Sequence, residues 1–321
     1  MQGAEVFRRL TLFLLALLVA ACVSNTDTAN INMHWQPVDS LNAVLPAGIR
    51  VFAGENDALP LRAWYVRVEE GRPEIVTHVL MSDDESDNRE TVSSFARDEG
   101  ACVVINGGYF NMSRTPSNHA GLLVCDGKIL SRATPSVLRD SLRYQTVRAA
   151  LGFTSEDEID IAWVTNRSDS LFTWTAPPQH APGRPAPKLD YSEAQHWNIR
   201  DAVAAGPALI VDGKIKITSD EEVFFGTTIP NVHPRTAAGI TSSGDLILMV
   251  VDGRQMASRG VSLEELASLM LEVGAVEALN LDGGGSSALV VNKSLLNRPV
   301  GGTTEREVMS AIAVFCAVEN N

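Results

Sequence analysis

The sequence predicts an α+β fold, a large mixed or mostly antiparallel β-sheet with few helices, and three observations predict it. Apolar runs of strand or hairpin length succeed one another from Leu61 to Val318. Asp126-Gly127, Asp212-Gly213 and Ser243-Gly244 are two-residue turn signals inside such runs, and turns of that kind join antiparallel neighbours. The one strong helical periodicity lies in Leu263 to Val273, where Leu263, Leu266, Ala267, Met270 and Leu271 share a face.

In chain order, Arg8 and Arg9 precede an apolar run from Leu10 to Ala21 that is too short to span a bilayer but suits a secretory signal. Val19-Ala20-Ala21-Cys22 closes the run and resembles the lipobox of bacterial lipoproteins, in which the cysteine becomes the acylated first residue. A plain secretory signal or a buried N-terminal helix would account for the same residues. The lipobox reading makes 1–21 a lipoprotein signal peptide, with acyl chains on Cys22 as a membrane anchor. By resemblance to Gram-negative sorting, Val23 directs such a product to the outer membrane, facing the periplasm. Residues 22–48 are polar and lack apolar periodicity, as a tether would, which leaves 49–321 as the folded domain.

Within that domain the strand and hairpin runs are Leu61 to Val68, Cys102 to Ile105, Gly121 to Leu130, Ala149 to Val164, Ala202 to Ile217, Thr236 to Val251, Ala275 to Leu281, Ser287 to Val291 and Val308 to Val318. Gly121 to Ile129 and Pro207 to Ile215 align without a gap through a shared Asp-Gly-Lys-Ile ending, by duplication or by convergence of good hairpins. A weaker helix covers about Thr91 to Glu99. The stronger one starts on a Ser262/Glu265 capping box and stops at Gly274. Pro177, Pro178, Pro182, Pro185 and Pro187 make Ala176 to Asp190 an exposed loop or a lid. With Cys22 acylated, Cys102, Cys125 and Cys316 remain. Cys102 and Cys125 pair, or the thiols are free and buried.

A formal charge of −13 argues against nucleic acid as a partner, so any anionic ligand must be met by a local cluster. Four segments put glycine and polar residues at strand ends, where scaffolds usually present a site. Asn106-Gly107-Gly108 offers an adaptable amide and close backbone approach, or simply a turn. His233-Pro234-Arg235 brings an arginine fork suited to phosphate, or a surface ion pair beside a structural histidine. Asp252-Gly253-Arg254 ends an apolar strand on a carboxylate fit for acid or base work, or on an Asp-Gly turn. In Asp282-Gly283-Gly284-Gly285-Ser286 the successive amides can form a nest for an anion. No P-loop or nucleophile-elbow pattern is present, which tells against phosphate-loop chemistry and against Ser286, His233 and Asp282 as a serine-hydrolase triad.

These segments, in this order, resemble the phosphodiester glycosidase family. Asn106 to Phe110, His233 to Thr236, Asp252 to Arg254 with Ser258 to Val261, and Leu281 to Ser287 carry the resemblance, which covers about Leu61 to Val318. Asn297-Arg298-Pro299 and Glu305-Arg306-Glu307-Val308 add to it, although Val300 stands where the family usually has serine. The resemblance implies hydrolysis at a sugar's anomeric carbon with a phosphodiester as leaving group, on envelope or extracellular glycans. Asp282 and Asp252 are the expected carboxylate pair. Asn106, Gly107, Gly108, His233, Arg235, Arg254, Gly283, Gly284, Gly285 and Ser286 are the expected contacts to substrate. Glu265 also matches a family position, but its capping box gives a sufficient structural reason. Oxygen donors such as Asp252, Asp282 and Asn106 can hold calcium or magnesium. The alternative is a lipid-anchored protein of exopolysaccharide assembly that binds glycan without cleaving it.

Overall fold

The computed structural model describes residues 31–316 apart from 57, so the signal-peptide and Cys22 expectations lie outside the described residues. Three sheets, of eight, seven and five strands, make up most of the fold. In the eight-stranded sheet the central strands Leu246–Val251, Arg235–Thr241 and Ala275–Asn280 are neighbours, and both pairings are antiparallel. The first two are buried along their whole length, which explains runs without polar alternation. The five-stranded sheet is centred on Val103–Asn106, between Leu289–Val291 and Ser310–Cys316. In the seven-stranded sheet Arg148–Phe153 lies between Ile159–Arg167 and Asp201–Ala204.

All three sheets contribute to one core. Val250 and Leu279, Ile105 and Ile312, and Leu151 and Val203 belong to the same buried cluster. The helix Leu263–Glu272 buries Leu266, Ala267 and Met270 with Ala237, Met249 and Ala278 of the eight-stranded sheet, and its capping box forms as expected. The helix Val92–Asp98, capped by Thr91, lies with Val104, Val290 and Ala313 of the five-stranded sheet. Asp126-Gly127 and Asp212-Gly213 turn with φ positive at both residues, the geometry that matches strand twist in a tight hairpin. Their hairpins fall in different sheets.

Three expectations are corrected. The tether does not reach residue 48: His34–Pro37 pairs with Ile49–Asn56, and Ile31 and Met33 are in the core. The segment hides well because a short edge strand needs few apolar residues. Cys102 bonds Cys316 instead of Cys125: just beyond the Val103–Val314 pair, at the end of the two strands, these cysteines stand 5.9 Å apart at their Cα atoms. Cys125 is free, and burial pushes its thiol up to about 12. The proline-rich segment is a loop that buries His180, whose Nε2 meets the Gln145 carbonyl at 2.6 Å, and it forms no part of the cleft described next.

Candidate active site

Three neighbouring strands end at one edge of the eight-stranded sheet, and their register decides what they present there. Arg235 opens its strand opposite Val251, and Ala237 lies opposite Asn280. Asp282 therefore arrives beside Arg235 from one neighbour while Asp252 follows Val251 on the other. Because side chains alternate across a pleat, Asp252 faces the side of Thr236, away from Arg235. A cleft of about 230 Å³ is lined by Arg235, Arg254, Arg306 and Asp282, with Tyr109, Asn280, His233, Thr228, Ile229 and Gly283 to Gly285 completing it.

Asp282 is the one carboxylate among the described residues of that lining. Burial pushes it up to about 6, opposed by the Ser286 hydroxyl, the Gly283 amide and the Arg306 charge. The Gly283 amide donates to Oδ1 at 2.9 Å. Its backbone is fixed by Asn106, whose Nδ2 donates to the Asp282 carbonyl at 2.7 Å. Asn106 Oδ1 accepts from Thr236 Oγ1 at 2.8 Å and from the Ala288 amide at 3.1 Å, so this residue holds the turn in place instead of meeting a ligand.

Three guanidinium groups face that carboxylate's cleft. Arg235 is 2% exposed and, among the described residues, donates to carbonyls alone, from Nε to Val261 at 3.1 Å and from Nη2 to Ile229 at 2.8 Å and to Asn231. Burial lowers its pKa to about 10. A buried guanidinium without a carboxylate partner is costly, and an incoming anion relieves that cost. Arg254 is exposed and left-handed, with φ at 56°, and its Nη2 donates to His233 Nδ1 at 2.9 Å. Arg306 lies over Gly285, where a Cβ would come within 2.5 Å of the guanidinium carbon. Only glycine admits it that closely.

His233 is engaged at both ring nitrogens. Arginine can only donate, so Nδ1 accepts from Arg254 and Nε2 carries the proton, donating to the Thr228 carbonyl at 2.8 Å. Burial, with the Arg235 and Arg254 charges, keeps its pKa below the ordinary value. A general acid needs a free proton aimed at substrate, and this ring has none.

The structure separates the other expected residues. Asp252 is 4% exposed, and its Oδ1 accepts from Asn297 Nδ2 at 3.0 Å and from the Arg298 amide at 3.1 Å. It clasps a loop and does not line the cleft. Gly107 and Gly108 are packing glycines: a Cβ would approach Ser310 Oγ to 2.5 Å at the first and the Ala204 carbonyl to 2.6 Å at the second. Most of the expected nest is consumed within the turn. The Gly284 amide donates to Pro234, the Ser286 amide to Gly283, and the Gly283 amide to Asp282. Gly285 is the turn amide with no such partner among the described hydrogen bonds, while Ser286 is 2% exposed.

Arg306, Tyr109 and Asn280 belong to the cleft but were not expected there. Arg306 did have a signal, the Glu305 to Val308 element. Tyr109 and Asn280 bond each other, with Asn280 Nδ2 donating to the Tyr109 hydroxyl at 2.7 Å, and nothing in their separation of 171 positions announces that. The proposed cation donors do not converge, since Asn106 and Asp252 are committed elsewhere. Among the described residues the compact group of possible ligands is His78, Asp126 and Asp201, where the Asp201 carboxylate already meets Arg200, His78 and the Asp126 amide.

A family sequence model described as phosphodiester glycosidase matches residues 99–315. The bovine N-acetylglucosamine-1-phosphodiester alpha-N-acetylglucosaminidase is 29% identical over 67% of this chain and 36% of its own length. An uncharacterised SPbeta prophage-derived protein of Bacillus subtilis is 39% identical over 36% of this chain and 17% of its own length. The chain thus spans about a third or less of these relatives. The solved catalytic domain of the zebrafish N-acetylglucosamine-1-phosphodiester alpha-N-acetylglucosaminidase, auto-inhibited by its pro-peptide, shares the fold with a TM-score of 0.59 at 21% identity, covering 89% of each chain. A hypothetical protein from Synechocystis gives a TM-score of 0.59 at 20% identity over 84% of this chain and 62% of that one.

Proposed function

The chain belongs to the phosphodiester glycosidase family, and from that premise we propose that the cleft hydrolyses a sugar-1-phosphodiester, releasing free sugar and a phosphomonoester. One observation carries the reading: among the described residues a single carboxylate with a raised pKa faces three guanidinium groups, one of them buried and bonded to carbonyls instead of a counter-ion. Water attacks the anomeric carbon as the bond from that carbon to the phosphate oxygen breaks, and the electron pair leaves with the phosphate. Asp282 takes the water's proton. The leaving group turns from a monoanion into a dianion, so Arg235, Arg254 and Arg306 are aimed where negative charge develops. A phosphate leaves readily, so protonation by a second carboxylate matters less here than for an ordinary glycoside.

The relatives named for N-acetylglucosamine-1-phosphodiester cleavage support this substrate class. The Cys102–Cys316 disulfide suits an oxidising compartment, and with the lipobox-like Cys22 it supports a lipid-anchored protein of the bacterial envelope, at the outer membrane, acting on envelope or extracellular glycans. The decisive experiment incubates the protein with a panel of sugar-1-phosphodiesters and detects free sugar, with Asp282→Asn alongside. Release by the wild type and loss of at least about a hundredfold in the variant are expected. No release across the panel supports the second reading, glycan binding without cleavage in exopolysaccharide assembly, which the turning away of Asp252 from the cleft favours.

A further inference from the structure

We propose that His233 is a positioning residue whose unprotonated Nδ1 holds Arg254 at the glycine turn, so that anion capture by the cleft is gated by a proton on a group that never touches the anion. The inference rests on the cleft being an anion site and deepens that reading by naming how one of its guanidinium groups is held.

Arg254 needs such a hold. It is exposed, carried on a loop, and set by its positive φ in a conformation that an ordinary side chain adopts reluctantly. The preceding Gly253 is wedged, since a Cβ there would meet the Pro234 nitrogen at 2.8 Å and the Gly260 Cα at 2.9 Å. This packing ties the start of the loop to the His233-Pro234 segment. The side chain is then fixed through His233 Nδ1 at 2.9 Å, and its guanidinium stands 3.4 Å from where a Gly284 Cβ would be. His233 is itself fixed at its other nitrogen by the Thr228 carbonyl and through its backbone, which exchanges hydrogen bonds with Val261.

A guanidinium offers only donors and no acceptor, so the contact exists only while Nδ1 keeps its lone pair. Protonation sets N–H against N–H and cation against cation, and Arg254 swings free. The charges acting on the ring oppose that protonation. Arg235, two residues along the chain, and Arg254 on the facing loop are both positive. Next to the Val261 segment, Arg259 is paired with Glu265. From the glycine turn comes Asp282, the negative group of the cleft, which burial pushes up to about 6, so that its own protonation favours anion capture and opposes the effect of the latch. The latch is therefore closed at neutral pH and opens in acid.

Sulfate is the suitable probe, because it stays doubly charged from pH 8 down to about 4.5, whereas phosphate gains a proton in that range. Calorimetric affinity for sulfate is measured across this interval in the full chain, with melting curves confirming the fold of each variant. Relative to His233→Asn, in which Asp282 titrates alike, wild type is expected to lose about tenfold in affinity on the acid side, the worth of one charge-assisted contact. His233→Ala should show the weakened affinity at every pH, and His233→Asn, whose Oδ1 can accept from Arg254 but does not titrate, should restore neutral-pH affinity and abolish the acid-side loss. Arg254→Met should bind weakly and indifferently to the residue at 233. Wild-type affinity in His233→Ala, or an unchanged acid-side loss in His233→Asn, overturns the proposal. Those outcomes leave the glycosidase reading intact, since that reading is tested by turnover of a sugar phosphodiester.

Discussion

Asp282 combines a structural cost with a chemical use, and the same titration measures both. Burial raises its pKa from 3.8 to about 6, so the folded protein binds that proton more tightly than the unfolded chain does. The sign follows: the cost of ionisation is present in full above pH 6 and disappears as pH falls toward about 4. Asp282→Asn should therefore raise stability at pH 7.5 by about 1–2 kcal/mol, and the gain over wild type should shrink as the buffer is acidified. Parallel denaturant titrations at pH 7.5 and 4.5 measure it, and a variant less stable than wild type at pH 7.5 contradicts the assignment. In turnover, a base that must be ionised gives an acid limb with an apparent pKa near 6 in kcat/KM, which reports the free enzyme. Arg235 calls for a different substitution. Arg235→Lys keeps the charge but cannot span the carbonyls of Val261, Ile229 and Asn231, so both stability and phosphate affinity should fall, the latter by about tenfold in KM or Kd.

At the scale of elements, the sheets are joined by buried polar groups that no local pattern announces. Glu222 is fully buried between two sheets: one oxygen accepts from the Ala149 amide at 2.9 Å, the other from Ala208 at 2.8 Å, Trp163 Nε1 at 3.1 Å and Thr218 Oγ1 at 2.5 Å. Glu222→Ala strands the Ala149 amide, the Trp163 indole and the Thr218 hydroxyl, while the Ala208 amide keeps Thr218 Oγ1, and is expected to cost about 3–5 kcal/mol, read as a lower denaturant midpoint with m unchanged. A loss under 1 kcal/mol would mean that water replaces the carboxylate. What the sequence disclosed follows the same division. Central strands, the capped helix and the tight turns were legible because each depends on periodicity or backbone conformation within a few residues. The edge strand His34–Pro37 carried too few apolar residues to register. In the site, Asp282, Arg235 and Arg254 were legible as polar groups ending apolar strands. The failure of Asp252 to join them was hidden because it depends on the pleat phase of a neighbouring strand, and Asn106 misled because a fully satisfied buried amide has the composition of a binding one.

At the scale of the whole molecule, a core shared by three sheets makes closure of the chain a long-range problem, and the disulfide bears on it directly. Cys102 and Cys316 stand 214 positions apart and join the start of a central strand in the five-stranded sheet to the end of its neighbour. Most of the fold lies inside that loop, although the strands from His34–Pro37 to Ile75–Met81 and the helix Val92–Asp98 precede it. In the chain-entropy account, cross-linking so long a segment disfavours the unfolded state by about 5 kcal/mol, a large share of the stability of an ordinary domain. The folded state should barely register the loss, because the backbone pairing of Val103 to Asn106 with Ala311 to Val314 is independent of the sulfurs. Reduction is thus expected to lower the melting temperature by several degrees without altering the far-ultraviolet circular dichroism of the native protein. Cys102→Ser and Cys316→Ser should each reproduce the shift, and the double variant should add nothing to either. Cys125→Ser, which breaks no bond, is the control for reductant effects. If the two single variants melt like wild type under oxidising conditions, the pairing is absent in solution, and the oxidising-compartment argument for an envelope location loses its structural support.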